Sequence, residues 1–470
     1  MFEHITPESA GVRGEGIVRF LDDMKAKRLH MHAMMILRHG KVIAEASFAP
    51  WSKENPHMLF SLSKSFTSTA VGFALQDGLL SVDDRLVDFF PDLLPAAPCE
   101  NMGKMTIKNM LSMNTGHGEE PRHEGKNWEK TFLRTYVEFE PGTHFLYNTY
   151  ATYMLAAVVQ KVTGKKLLAY LREKLMDPLG MSGDIWTEES PTGVATGGYG
   201  LNVRVGDIAK LGQFYLEKGK WNGKQLLNEA WIKDASTPWS DNRNHGGENS
   251  DWGSGYGYQF WMCKPENVFR GDGAFGQYCV VMPDQDMVVA INSGVDDMGA
   301  VLDSIWENIL PCAAAEGGPL PADPASEAKL RARLEDTKTP AVWEETETPV
   351  SAPVPEEGWL GTYRMQENNP LGAEKLEVLP DRLVFRRREG EKEIAETYPL
   401  SLNDWTPAEG ADTSSRAAKT EEGLILHTCH ILTPFETILN LRFTPHGVEI
   451  RCRRNVGFGG NEYCLIGYRE

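Results

Sequence analysis

Ser61 and Lys64 stand three positions apart in the run Phe60-Ser61-Leu62-Ser63-Lys64-Ser65-Phe66-Thr67. On a helix this spacing stacks the hydroxyl and the amine on one face, within hydrogen-bond reach. A serine hydroxyl is a weak nucleophile until a base takes its proton, and a lysine is that base only when its pKa is lowered. Burial lowers it, and Phe66, Ala70, Val71, Phe73, Ala74 and Leu75 make a mostly apolar helix that would desolvate the ammonium. A helix starting at the serine also brings free backbone N–H groups and the positive dipole end beside the reacting oxygen. The chemistry implied is acyl transfer through a Ser-Lys pair. A second copy of the spacing, Ser326-Glu327-Ala328-Lys329, lies among prolines and charges with no apolar helix to bury its lysine.

Two other segments could complete such a site. In Pro141-Gly142-Thr143-His144-Phe145-Leu146-Tyr147-Asn148-Thr149, a turn leads into a helix, and the Tyr147 phenol could bond Ser61 and Lys64 and relay a proton to a leaving group. The alternative is that Tyr147 packs and Thr149 caps the helix. In Phe269-Arg270-Gly271-Asp272-Gly273-Ala274-Phe275-Gly276-Gln277-Tyr278, small residues let a substrate approach a strand edge whose N–H would complete an oxyanion hole with that of Ser61. The alternative there is a glycine-rich turn before a strand.

These residues must be positioned by the elements around them. Helices are expected over about 14–27, 149–162, 205–218 and 299–310, the second with the apolar stripe Tyr150, Tyr153, Met154, Ala157 and Val158 and a stop at Gly164. Hairpins are expected at 34–37 with 42–46 and at 278–282 with 287–292. Strands at both ends of the unit and helices between them predict one antiparallel sheet that both ends complete, covered by helices. Composition shifts at Pro311 to Pro, Ala and Glu, and short β-type runs follow at 376–379, 383–387, 424–430, 437–443 and 448–453. The organisation expected is a domain over 1–312, a partly extended linker over 313–357 with a short helix at 326–335, and a small antiparallel barrel or sandwich over 358–470.

A chain of 470 residues suits two or three domains. With 48 Lys+Arg against 66 Asp+Glu, its net charge of −18 argues against nucleic acid and anionic membranes as partners. Seven scattered cysteines without C-x-x-C spacing read as reduced, buried thiols. The first residues lack a secretory pattern and no stretch is long and apolar enough to span a bilayer, so a cytoplasmic location is expected. The histidines form no metal-binding spacing, and His30 and His32 are expected on a strand near the surface. Neither metal nor cofactor is expected. The clusters Arg386-Arg387-Arg388 and Arg451/Arg453/Arg454 read as solvated strand faces.

Taken in order, the three segments resemble the serine β-lactamase and penicillin-binding superfamily, especially the class C β-lactamase-like branch with its esterases and D-aminopeptidases. The resemblance covers about residues 1 to 310 and is supported by Met110-Leu111-Ser112-Met113-Asn114-Thr115-Gly116 and by Gly197-Gly198-Tyr199-Gly200-Leu201 followed by Asp207. It implies an α+β fold and an acyl-enzyme on Ser61, with Lys64 and Tyr147 moving the proton and the N–H groups of Ser61 and Phe275 holding the oxyanion. The departures bear on substrate. Thr149 replaces the family's third-position asparagine of Y-x-N, and Asp272, with Gly273 and Ala274 after it, stands where the family has a cation or imidazole. An Asp there would repel a carboxylate unless Arg270, two residues away on the same strand face, compensates. The substrate implied is a small ester or amide, D-amino acid peptides included, with weak or no β-lactamase activity. The tail resembles the lipocalin-like barrels of some relatives and leaves a homo-oligomer open. A non-catalytic ligand-binding or scaffold protein of the same fold is the competing reading.

Overall fold

The computed structural model describes residues 2–122, 125–313, 318–346, 348–409 and 412–470. A six-stranded antiparallel sheet organises the first part, in the order Lys41–Ser47, Met31–Arg38, Met287–Ser293, Gln277–Met282, Phe269–Gly273 and Trp261–Met262. Early and late strands meet where Met31–Arg38 pairs with Met287–Ser293, so both ends of the unit complete the sheet as expected. Side chains alternate between two cores: Cys279, Val281, Val288 and Ala290 face one, and Tyr278, Val280, Val289 and Ile291 the other. With both faces buried there is no polar side, which is why these strands read as continuous apolar runs.

Helices Ser63–Gln76, Thr149–Thr163 and Val205–Leu216 cover the first core, and Gly14–Ala26 and Met298–Ser304 the second. The last departs from expectation, because after Ser304 the backbone widens into a π turn over Ile305–Ile309. Asn148, not Thr149, caps the Thr149–Thr163 helix, accepting from the Ala151 N–H at 2.9 Å, and Gly164 ends it in the left-handed region at φ 67°. Among the described residues, no helix is long and apolar enough to cross a membrane.

The C-terminal part is a nearly closed antiparallel barrel of ten strands, running from Gly361–Met365 to Glu462–Arg469, and these two strands pair with each other. A bridge between Thr397 and Glu409 brings the remaining edges together. Leu376, Leu383, Leu424, Leu441, Ile450 and Leu465 fill its interior. Strands Lys392–Pro399, Thr413–Lys419 and Glu462–Arg469 go beyond the five runs read from sequence. Two described parts of the stretch expected as a partly extended linker are packed down. Its helix, Pro324–Glu335, inserts Leu330 into the second core and brings Arg333 Nε within 2.6 Å of Asp22. Trp343 then packs on Ala418, Ile425 and Ile438 of the barrel.

Backbone and side-chain hydrogen bonds dock the barrel beside the sheet: Met58 N–H to Leu432 O at 2.9 Å, Trp51 Nε1 to Thr433 O at 3.2 Å and Asn455 Nδ2 to Gly294 O at 3.2 Å. At this seam His30 lies 2.8 Å from Glu436 and 2.9 Å from Glu345. Burial disfavours its imidazolium, but the two carboxylates outweigh that and raise its pKa to about 10. The expectation of surface histidines fails here. His32 is fully buried and stacks on Trp51 with ring centroids 3.6 Å apart, because both faces of its strand are covered. The cysteines are free, five of them buried, with Cys99 half-buried and Cys464 exposed against expectation.

Strand Phe269–Gly273 lies directly on the turn that carries Ser61. A Cβ on Gly271 would meet Leu62 Cδ1 at 2.2 Å, and one on Gly273 would meet Leu59 O at 2.0 Å. Gly273→Ala is therefore expected to lower the unfolding free energy by about 1–3 kcal/mol in chemical denaturation. Stability equal to that of the parent would contradict this close approach.

Candidate active site

Ser61 occupies the middle of a tight turn, Phe60–Leu62, that runs straight into the helix Ser63–Gln76. The next helical turn carries Lys64, whose Nζ lies 3.0 Å from Ser61 Oγ, 2.8 Å from Gly198 O and 3.4 Å from Thr149 Oγ1. Three protein oxygens therefore take the place of water around an amine that is only 1% exposed. Burial pushes the Lys64 pKa down to about 7, against the opposing pull of Glu120 and Asp272. A lysine in that range carries a substantial neutral fraction near neutral pH.

Tyr147 lies over this pair, its ring centroid 4.8 Å from Lys64 Nζ and stacked at 5.2 Å on Trp261. Burial holds its phenol well above the ordinary range, and hydrogen bonding to Ser61 offsets this only in part. The group is thus a neutral donor placed beside the Ser61 hydroxyl.

Asp272 does not present a free charge to the site. Arg270 Nε donates to Asp272 Oδ2 at 2.9 Å and Nη2 lies 2.8 Å from the same oxygen. Arg270 is fully buried, over the rings of Trp252 and Trp261, and its Nη1 donates to Asp251 O at 2.9 Å. Burial pushes the Asp272 carboxyl up, and the guanidinium opposes this. The compensation by Arg270 that the strand spacing allows is the arrangement found.

Gly273, Ala274 and Phe275 lead from this strand into the turn before Gln277–Met282. Phe275 has φ 65° and Phe60, just before the nucleophile, has φ 47°. Both bulky residues hold a backbone region that favours glycine, at a cost of about 1–3 kcal/mol each. Their rings meet edge to face at 5.3 Å. Among the described residues, the Phe275 N–H donates to no protein acceptor.

The fold therefore brings Ser61, Lys64, Tyr147, Thr149, Asp272 and Phe275 together, with Arg270 behind them. It leaves Lys329 of the second S-x-x-K copy exposed on the far helix. Two contributors lie outside the sequence reading. The Gly198 carbonyl is one; its motif enters there only as a family similarity, and a Cβ at that position would lie 2.7 Å from Thr149 Cγ2. Glu120 is the other, with Oε1 accepting from the Thr149 N–H at 2.5 Å and its charge reaching Lys64. Both act through folded proximity, which leaves no local spacing to read.

Elsewhere, the possible ligand atoms of His427, Cys429 and Glu436 lie within 4.8 Å of one another. His427 Nδ1 accepts from the Val342 N–H at 3.0 Å, which leaves Nε2 as the protonated nitrogen 2.7 Å from Glu436. Burial also raises the Cys429 thiol well above its ordinary pKa. The trio is satisfied as a polar core of the barrel.

The sequence profile of the family described as Beta-lactamase matches residues 19–309. The chain is 25% identical over 310 residues to the 6-aminohexanoate-dimer hydrolase of Paenarthrobacter ureafaciens, an alignment spanning 60% of this chain and 78% of that protein. A penicillin-binding protein homolog from Caulobacter crescentus shares the fold with TM-score 0.53 at 15% identity, over 66% of this chain and 99% of that one. So does a family VIII carboxylesterase, with TM-score 0.51 at 16% identity over 63% and 97%.

Buried Lys64 and half-buried His30 bend stability with pH in opposite senses. Lys64 titrates near 7 when folded and near 10.5 when unfolded, so its contribution to stability rises with pH across that window. His30 titrates near 10 when folded and near 6.5 when unfolded, so its contribution is complete below 6.5 and is lost as pH rises through 10. Lys64→Met should therefore lose stability from about pH 7 to about pH 9 more steeply than the parent, and His30→Gln should gain. Denaturant titrations at both pH values check this, and parallel behaviour of the two variants would contradict it.

Proposed function

The chain belongs to the Beta-lactamase family, a superfamily of serine hydrolases that spans esterases, amidases and carboxypeptidases, and from that premise we propose that it hydrolyses small esters or amides through an acyl-enzyme on Ser61. The observation that carries this reading is the 3.0 Å contact between Ser61 Oγ and a water-starved Lys64 amine.

Ser61 Oγ attacks the carbonyl carbon while its proton passes to neutral Lys64 Nζ. The resulting oxyanion is held by the N–H groups of Ser61 and Phe275, the latter donating to no acceptor among the described residues. The Tyr147 phenol, beside both Ser61 and Lys64, hands a proton to the departing alkoxide or amine as the C–O or C–N bond breaks and regains one from the Lys64 ammonium, which is left neutral. Water then attacks the acyl-serine ester, the proton returns through the same groups, and the acid is released.

The charges select against a β-lactam carboxylate. The Arg270 guanidinium is buried and engaged by Asp272, while Glu120 adds a negative charge at the start of the Thr149–Thr163 helix. Neutral or amine-bearing substrates fit this balance. The relative named a 6-aminohexanoate-dimer hydrolase supports small linear amides as candidates alongside esters.

A fluorophosphonate probe should add once to the chain, on Ser61, and Ser61→Ala should abolish the adduct and the hydrolysis of p-nitrophenyl esters. The labelling rate should rise with pH through about 7, because the amine must be neutral to accept the proton. Lys64→Arg keeps a permanent charge and should lose at least about 10³-fold in kcat/KM, and Tyr147→Phe about 10²–10⁴-fold. No adduct on the parent would favour a ligand-binding protein instead. Nitrocefin turnover matching that of a dedicated β-lactamase would overturn the substrate assignment.

A further inference from the structure

Extending the Ser61 reading, on which it rests, we propose that the C-terminal barrel builds part of the substrate site: Phe458 and Phe435, with Phe60 and Phe275, form a subsite for an alkyl or aryl group beside the scissile carbonyl.

Phe458 is 78% exposed, on the loop between strands Gly447–Arg454 and Glu462–Arg469. A phenylalanine so exposed still has a large apolar surface to bury. Its ring is nonetheless in company: its centroid lies 4.9 Å from that of Phe275 and 5.7 Å from that of Phe60. Phe435, from another barrel loop, lies 5.8 Å from Phe275 and 6.1 Å from Phe60. The cluster is thus continuous with the two residues whose backbone brackets the reacting oxygen.

Both barrel loops are tied to the catalytic machinery. Asn455 Nδ2 donates to Gly294 O and, at 2.9 Å, to Pro434 O, while its Oδ1 accepts from the Glu436 N–H at 2.7 Å. The next residue after Gly294, Val295, donates its N–H to Phe275 O at 3.2 Å. On the other side Met58, three residues before Ser61, donates its N–H to Leu432 O. The loops bearing Phe458 and Phe435 are therefore indexed to the Phe275 turn and to the Ser61 turn. Phenylalanine at two strained backbone positions is consistent with rings that are held for use, since glycine would adopt either conformation freely.

The occupant this chemistry fits is an apolar substituent of the substrate, which would cover the rings and complete their desolvation. The test uses the full-length protein and two ester series: p-nitrophenyl acetate, butyrate and hexanoate, and acetates of alcohols of increasing chain length. In the parent, kcat/KM should rise with chain length in one of the series. Phe458→Ala should lose about tenfold more on the longest member than on the shortest, chiefly through KM, and Phe458→Leu should restore most of it. Equal effects at every length, or no effect, would overturn the subsite. So would a change of molecular mass by light scattering in Phe458→Ala without a chain-length effect, which would mean that a second copy covers the ring. Fluorophosphonate labelling of the parent separates the two levels: an unlabelled Ser61 defeats the hydrolase reading, while a labelled one with no chain-length dependence defeats only the subsite.

Discussion

Lys64 sits where three oxygens reach its amine and bulk water does not, and the surrounding elements are arranged to keep it there. The apolar helix Ser63–Gln76 buries its stem, the Gly198 carbonyl and Thr149 hydroxyl fix its head, and Tyr147 closes over it. The free energy of desolvation appears as a pKa near 7. That cost favours the neutral amine near neutral pH, and the close packing around it leaves two neighbouring glycines no room for side chains. Gly198 lets the carbonyl reach the amine, and Gly273 lets the strand lie against the nucleophile's turn.

The same economy governs the other charges. Asp272 would be an intolerable lone anion beside a base, and the buried Arg270 neutralises it from the same strand. His30, half-buried between Glu345 and the buried Glu436, puts another ion group at the seam between sheet and barrel. Its pH response opposes that of Lys64, so the joint and the Lys64 amine pull stability in opposite directions over the same range. The barrel is bonded to the segment leading into Ser61 and contributes rings to its surroundings.

What the sequence made legible was local. Ser61 and Lys64 are three apart on one helix, and Arg270 and Asp272 two apart on one strand, so spacing alone brought each pair together. The sheet was legible because Tyr278–Met282 and Met287–Asn292 are long apolar runs around a turn. Gly198 and Glu120 were not, since a backbone carbonyl has no residue type and Glu120 meets Thr149 only in the folded chain. His32 was misplaced because alternation cannot distinguish a solvent face from a second buried one. The segment after Pro311 read as a linker because Pro324–Glu335 anchors itself through few apolar groups, Leu330 foremost. In the barrel, Lys392–Pro399 is mostly exposed or half-buried and carries Lys392, Glu393 and Glu396 with no apolar alternation, which hid its pairing with Arg382–Glu389.

The protonation state of the Lys64 amine decides whether Ser61 has a base beside it. Selective ¹³Cε-lysine labelling, with Lys64→Arg to assign the resonance, allows Lys64 to be titrated directly by NMR in the intact protein. A midpoint near 7 is the predicted result. A Lys64 signal that remains that of a charged ammonium up to the ordinary lysine range of about 10.4 would contradict it.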